Sequence, residues 1–240
     1  MICPDVRIHT LPGVFSPRSD SWLLARTAAA HVGPRSRVLD VCTGSGVIAC
    51  TAAAAGARRV VAVDVSRRAV LTVRMNARLN GVHVEAKRGD LLAPVAGERF
   101  DLIVSNPPYI PAPEEELPRR GERRAWDAGT DGRVVLDRIC QEAPNLLSPD
   151  GVLLLVHSSI CGEATTLAQL AAAGLDAEVA VRQRGPLGPI VEGRRAMLED
   201  RGLLPRGATE EDVIIVRARR PRTSVLPGRK QVRGTDSQTA

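Results

Sequence analysis

Residues 37–46 read RVLDVCTGSG. The apolar run over 37–41 has the length and composition of a buried strand, and it stops at a turn built on Gly44 and Gly46. An alanine-rich segment over 47–55 follows, and Gly56 stands where helices commonly end. Strand, glycine turn and helix in that order open a βαβ unit. The two glycines let the backbone turn tightly and leave room for a ligand to lie against it. The helix behind them presents N–H groups that have no partner of their own.

The same alternation continues along the chain. Residues 60–63 form a second strand ending at Asp64, and Ser66 is an N-cap for a helix whose Ala69, Val70, Val73 and Ala77 share one face, down to Asn80-Gly81. A weaker strand over 82–86 leads to Gly89-Asp90, and a fourth strand covers 100–104. Val135, Leu136, Ile139, Ala143 and Leu146 mark an amphipathic helix. A turn at 149–151 precedes a strand over 152–156, apolar enough to be buried on both faces. A helix over 163–173 and strands over 177–181 and 213–216 complete the set, with a helix expected near 192–201 in the long connection between those strands. This order predicts an α/β fold with a mostly parallel, doubly wound sheet of seven strands. One domain over 34–220 is expected, preceded by a segment over 1–33 in which Asp20 or Ser21 caps a helix over 22–30. Residues 221–240 lack apolar periodicity and read as a disordered basic tail. The loop over 112–133 is long for such a fold, which marks it as functional or disordered.

Composition narrows the function. The net charge is +6 with a pI near 9.6, which suits an acidic partner such as nucleic acid, but much of the excess lies between Arg217 and Arg233, where a solvated tail accounts for it. Aromatic residues make up only 2% of the chain, so the core is aliphatic and few rings are left to stack bases. None of the five cysteines forms a C-x-x-C pair, so neither a zinc site nor a disulfide framework is indicated. The four histidines are scattered, and none is expected to act as ligand or base. No apolar run is long enough to span a bilayer and no signal pattern opens the chain, so the expectation is a cytoplasmic, reduced protein.

In doubly wound sheets, ligands bind beyond the carboxyl ends of the strands. Four of this chain's strands end in chemistry: residues 40–46 (DVCTGSG), Asp64, Gly89-Asp90, and residues 106–109 (NPPY). Asp64 is placed to accept both hydroxyls of a ribose, and Asp90 to meet a purine amino group. The dinucleotide fingerprint G-x-G-x-x-G is broken at Ala49, and no lysine stands at P-loop spacing. A nucleoside without a pyrophosphate fits better, which points to S-adenosylmethionine. Taken singly, each element has a plain structural reading: Asp64 as a helix-capping group, Asp90 as a turn residue, Asp20 and Ser21 as N-caps, and Asn-Pro-Pro as an ordinary end to a strand. Their coincidence at one sheet edge carries the functional reading. Trp126 is expected to anchor the loop by packing, Cys50 to lie in the core, and residues 114–116 to be solvated.

Together, residues 40–46, Asp64, Asp90 and Asn106-Pro107-Pro108-Tyr109 resemble the class I S-adenosylmethionine methyltransferases of the HemK/PrmC type. The resemblance implies a Rossmann-like fold with one antiparallel strand. It also implies that the Asn106 side-chain oxygen and the Pro107 carbonyl accept hydrogen bonds from a planar substrate NH2, while Pro108 stiffens the turn and Tyr109 packs on the substrate. An amide nitrogen is a poor nucleophile because its lone pair is delocalised. Two fixed acceptors orient that lone pair and favour the positive charge developing on nitrogen, with no need for a metal or a covalent intermediate. The cofactor's amino-acid end is assigned to Asp40, Cys42, Thr43, Gly44 and Gly46, its ribose to Asp64 and Val65, and its adenine to Asp90 and Leu91. Asn106 is shared with the cofactor. The stretch 124–151 is similar to the archaeal and eukaryotic release-factor glutamine methyltransferases, and Phe15, Pro17, Asp20 and Ser21 match an opening segment that closes over the cofactor in that branch. The implied activity is methylation of a glutamine side-chain amide in a protein such as a release factor, with a small activator subunit as a further partner. N6-methylation of adenine and methylation of a small amine or amide suit the same acceptor pair, and a non-enzymatic binding subunit is the remaining alternative. This chain departs from the family at Cys42, where a glycine is usual, and at residues 184–189, which have no counterpart in it.

Overall fold

The structure is a computed structural model and describes residues 4–221. Seven strands form one sheet in the order β3-β2-β1-β4-β5-β7-β6. They are β1 (Arg37–Val41), β2 (Arg59–Asp64), β3 (Glu85–Arg88), β4 (Phe100–Ser105), β5 (Leu147–Ser158), β6 (Asp176–Pro186) and β7 (Glu210–Arg219). Pairings from β3 through β5 are parallel, and β7 runs antiparallel to both of its neighbours. The helices are α1 (Ser19–Ala29), α2 (Val47–Ala54), α3 (Arg67–Leu79), α4 (Val134–Glu142), α5 (Glu163–Ala172), α6 (Pro189–Gly193) and α7 (Arg195–Asp200).

Alternation along the central strands sorts side chains onto two apolar layers. Val38, Val60, Ala62, Leu102 and Val104 face α1, α2 and α3 through Leu24, Val47 and Val73. Leu39, Val61, Val63, Ile103 and Leu153 face α4 and α5 through Leu136, Ile139 and Leu170. Each such fully buried Leu, Ile or Val contributes about 1.5–3 kcal/mol. These layers hold the carboxyl ends of β1, β2 and β4 side by side, and the functional residues sit there.

Several local expectations are corrected. Asp20 and Ser21 do not cap α1: the helix starts at Ser19 behind Arg18, so both lie inside its first turn. The strand expected over 82–86 begins at Glu85, because Val82 N–H still donates to Ala77 O and closes α3. Pro144 ends α4 early, and Leu146 belongs to a short 3-10 turn. The turn expected at 149–151 is a bulge within β5: Phe100 pairs with Leu147, and Leu102 with Val152. A Cβ on Gly151 would stand 2.9 Å from the Phe100 carbonyl, so the bulge requires glycine there. The expected helix over 192–201 is two short helices broken at Arg194. β6 and β7 run well beyond their expected bounds because they zip together as an antiparallel ladder. Apart from Pro221, the expected tail lies outside the described residues.

Candidate active site

Beyond the ends of β1, β2, β3 and β4 lies a cavity of about 860 Å³, within the size range of small-molecule and cofactor sites. Its floor is the turn after β1. Asp40 is fully buried beneath it, accepting from Thr43 Oγ1 at 2.6 Å and from Ala49 N–H at 3.1 Å. Asp40 therefore braces the turn from below and does not line the cavity. Burial pushes its carboxyl up to about 7. Gly44 lines the cavity at φ +53°, and a Cβ built on it would meet nothing within 4 Å, so its missing side chain leaves the floor open. Gly46 does not line it. It has φ +80°, and a Cβ there would come within 2.9 Å of Val73 Cγ2, so this glycine lets α2 sit against α3.

Cys42 lines the cavity at φ +58°, a left-handed conformation unusual for a side chain other than glycine, asparagine or aspartate. Burial raises its thiol above the ordinary range. Asp64 ends β2, accepting from Gly44 N–H at 3.0 Å and Ser66 N–H at 2.8 Å. Each oxygen keeps a further lone pair for a ligand hydroxyl. Burial raises the Asp64 pKa, and the backbone donors oppose the shift. Val65 and Leu91 line the cavity, Leu91 at φ +43°. Asp90 lines it too, but its carboxylate lies at the exposed rim, held by Arg138 at 2.8 and 3.2 Å. No feature of residues 37–46 pointed to Arg138, which sits on α4 far along the chain.

β4 delivers Asn106, and Ser105 Oγ donates to Val41 O at 2.8 Å, pinning the strand end beside the glycine turn. Asn106 Nδ2 donates to Asp20 Oδ2 at 3.1 Å and to Ser21 Oγ at 3.0 Å. Tyr109 OH donates to the same Asp20 oxygen at 2.9 Å. Asn106, Pro108 and Ser21 line the cavity, whereas Asp20, Pro107 and Tyr109 stand behind them. The Tyr109 ring packs against the core layer, and burial followed by the Asp20 carboxylate raises its hydroxyl pKa. With its NH2 engaged, Asn106 is left with its side-chain oxygen as a free acceptor.

The loop after Tyr109 is tied down. Ile110 exchanges backbone hydrogen bonds with Trp126 and Ala128, and Trp126 stacks at a tilt on Phe15 with centroids 6.0 Å apart. Buried Asp127 is ion-paired with Arg123 at 2.7 Å and Arg194 at 2.6 Å. Arg194 also donates to Pro111 O, and Arg201 to Ala112 O and Pro113 O. The connection carrying α6 and α7 thus braces the loop that leaves the NPPY turn. Its spacing offered no sign of this task.

The sheet order, the single antiparallel strand and a nucleoside-sized cavity over a glycine turn define a class I, Rossmann-like methyltransferase. The match of residues 5–117 to the methyltransferase small domain agrees. A Methanocaldococcus jannaschii protein that carries the name "Putative protein N5-glutamine methyltransferase" is 36% identical over 182 residues, covering 75% of this chain and 90% of that one. The chain belongs to this family, the HemK-type N5-glutamine methyltransferases. Two solved structures share the fold. The E. cuniculi Mtq2–Trm112 complex, responsible for methylation of the eRF1 termination factor, superposes with TM-score 0.59 at 21% identity over 87% of this chain and 99% of that one. The T. thermophilus 16S rRNA N2 G1207 methyltransferase, in complex with AdoMet and guanosine, gives 0.56 at 22% identity over 90% and 47%. The cofactor is S-adenosylmethionine, which supplies a methyl group on a sulfonium when bound. The open floor at Gly44 and the spare acceptor capacity of Asp64 fit its amino-acid and ribose ends.

Proposed function

We propose that this enzyme methylates the side-chain amide of a glutamine in a protein substrate, a translation release factor being the first candidate, with a small activator subunit as partner. The carrying observation is the commitment of the Asn106 NH2 to Asp20 and Ser21. It holds this cavity-lining residue by its NH2 and leaves the side-chain oxygen as the acceptor that a substrate NH2 requires. The resemblance assigns the second acceptor to the Pro107 carbonyl, on a backbone whose φ is held by its ring, although Pro107 stands behind the residues that line the cavity. Asp64 and the turn at Thr43 and Gly44 hold the cofactor, and the loop over 112–133 excludes water from the reacting nitrogen. The relatives' names point the same way, toward glutamine and termination factors.

The test uses tritiated S-adenosylmethionine with the purified protein and its host's release factor, with and without a candidate small activator subunit from the same host. Label that is lost to protease, survives nuclease and co-elutes with N5-methylglutamine after hydrolysis is expected. Label released by nuclease would overturn the reading in favour of adenine. Asn106→Ala is expected to abolish turnover, with cofactor affinity changed by no more than about threefold.

A further inference from the structure

The walls of the cavity carry an excess of cations. Arg67, Arg68 and Arg88 line it from the β2–α3 and β3 side, and Arg119, Arg120 and Arg124 from the loop. Among the described residues, none of these six is in an ion pair; Arg68, Arg88 and Arg124 each donate only to backbone carbonyls, those of Pro12, Val65 and Arg119. The lining carboxylates are Asp64, Asp90, Glu122 and Asp127. Asp90 is taken by Arg138 and Asp127 by Arg123 and Arg194; Asp64 holds two backbone N–H groups and takes the charge of Arg124, and Glu122 offsets at most one of the other five arginines. The cofactor does not balance these arginines, because its sulfonium and ammonium outweigh its one carboxylate. Gathering like charges around one mouth is unfavourable until an anionic partner arrives, and guanidinium groups pair best with carboxylates or phosphates.

We propose that this arginine-lined mouth binds acidic residues flanking the target glutamine, so that the substrate segment is a polypeptide with Asp or Glu close to the methylated position. This rests on the glutamine reading above and deepens it. A polypeptide fits better than a nucleic acid because the walls offer almost no stacking surface. Phe15 is the one aromatic ring lining the cavity, and it is already covered by Arg18 at 5.1 Å and Trp126 at 6.0 Å.

Binding and methyl transfer are measured in parallel. Fluorescein-labelled peptides centred on one glutamine, with flanks of glutamate, serine or lysine, are titrated into the protein saturated with S-adenosylhomocysteine, and anisotropy is read. The glutamate peptide is expected to bind at least about tenfold more tightly than the serine peptide, with the gap closing as salt rises from about 0.05 to about 0.5 M. The double variant Arg119→Glu with Arg120→Glu is expected to reverse the order in favour of the lysine peptide while leaving S-adenosylhomocysteine affinity unchanged. Equal binding of the three peptides, a preference for lysine in the wild type, or displacement of the glutamate peptide by a lower concentration of single-stranded oligonucleotide would each overturn the inference. Selective binding without methyl transfer to any peptide upholds the acidic-flank assignment and sinks the glutamine reading. Transfer to all three peptides at equal KM does the reverse.

Discussion

Asn106 at the end of β4 donates through Nδ2 to Asp20 Oδ2 at 3.1 Å, across 86 residues of chain, and Tyr109 OH reaches the same oxygen at 2.9 Å. One carboxylate in the first turn of α1 thus orients both polar members of the NPPY turn, though it does not itself line the cavity. Asp20 is therefore a positioning residue. Asp20→Ala frees the Asn106 amide to rotate, and misplacement of an acceptor by about 1 Å is enough to cost up to about a hundredfold in rate. The expected result is a fall in kcat of about ten- to a hundredfold with little change in cofactor dissociation constant, measured by calorimetry with S-adenosylhomocysteine. A fall in cofactor affinity equal to the loss of rate would refute the positioning role.

Asp64 makes the complementary case. Its two oxygens hold the Gly44 and Ser66 N–H groups, so the residue shapes the glycine turn as well as offering acceptors to a ribose. Asp64→Ala removes charge-assisted hydrogen bonds of about 1.5–3 kcal/mol each, so cofactor affinity is expected to drop by at least about tenfold. At saturating cofactor kcat should recover to a large extent, because Asn106 is untouched. Unchanged affinity would remove Asp64 from the cofactor site.

The sheet and its helices were legible because alternation and glycine placement are local signals. Val38 and Leu39, or Val61 and Ala62, lie in apolar runs that mark strands buried on both faces, and the two layers follow from the strand period. The four strand ends that meet at the cavity were legible for the same reason. What stayed hidden depends on distant partners. Asp20 reads as a cofactor contact or a helix cap, and its bonds to Asn106 and Tyr109 emerge only once β4 is placed beside α1. Asp90 reads as an adenine contact, and nothing near it in the sequence shows that α4 brings Arg138 to its carboxylate. Asp40 reads as a ligand group, although its position on β1 puts it on the face of Val38, toward α2, where Thr43 and Ala49 claim it. Arg194 and Arg201 hold the loop through backbone carbonyls, and no residue pattern records which carbonyl a side chain will reach.

Cys42 at φ +58° stores backbone strain at the cavity floor. The left-handed conformation costs a side-chain-bearing residue about 1–2 kcal/mol, and Cys42 offsets part of this by packing against the core layer. Cys42→Gly relieves the strain but loses the packing and adds chain entropy to the unfolded state, so its stability is expected to stay within about 1 kcal/mol of wild type. Cys42→Val keeps apolar bulk but places a β-branched residue at positive φ, and a loss of more than about 2 kcal/mol is expected. Urea titrations of the two variants decide between strain and bulk: equal losses would mean that the conformation is not strained.

His157 is buried on β5 opposite Ile214, with Nδ1 at 2.9 Å from Ser158 O and Nε2 without a hydrogen-bond partner among the described residues. Burial lowers its pKa from 6.5 to about 4. In the unfolded chain the ring takes a proton below pH 6.5, whereas in the folded one it resists until about pH 4. Its contribution to stability is therefore present above pH 6.5 and declines on acidification, reaching a loss of about 3 kcal/mol near pH 4. Asp40 acts with the opposite sign. Its folded pKa is raised from 3.8 to about 7, so the folded chain keeps a proton that the unfolded chain releases, and that stability is present at acid pH and lost as pH rises through about 7. Between pH 4 and pH 6.5 the two slopes oppose each other, which flattens the wild-type profile. His157→Gln removes only the histidine slope. Relative to wild type, the variant is expected to gain stability steadily as pH falls from 6.5 to 5, read as the difference in urea midpoint at each pH. A constant difference across that range would mean that His157 takes up its proton alike in the folded and unfolded chains, so that burial does not hold its pKa down.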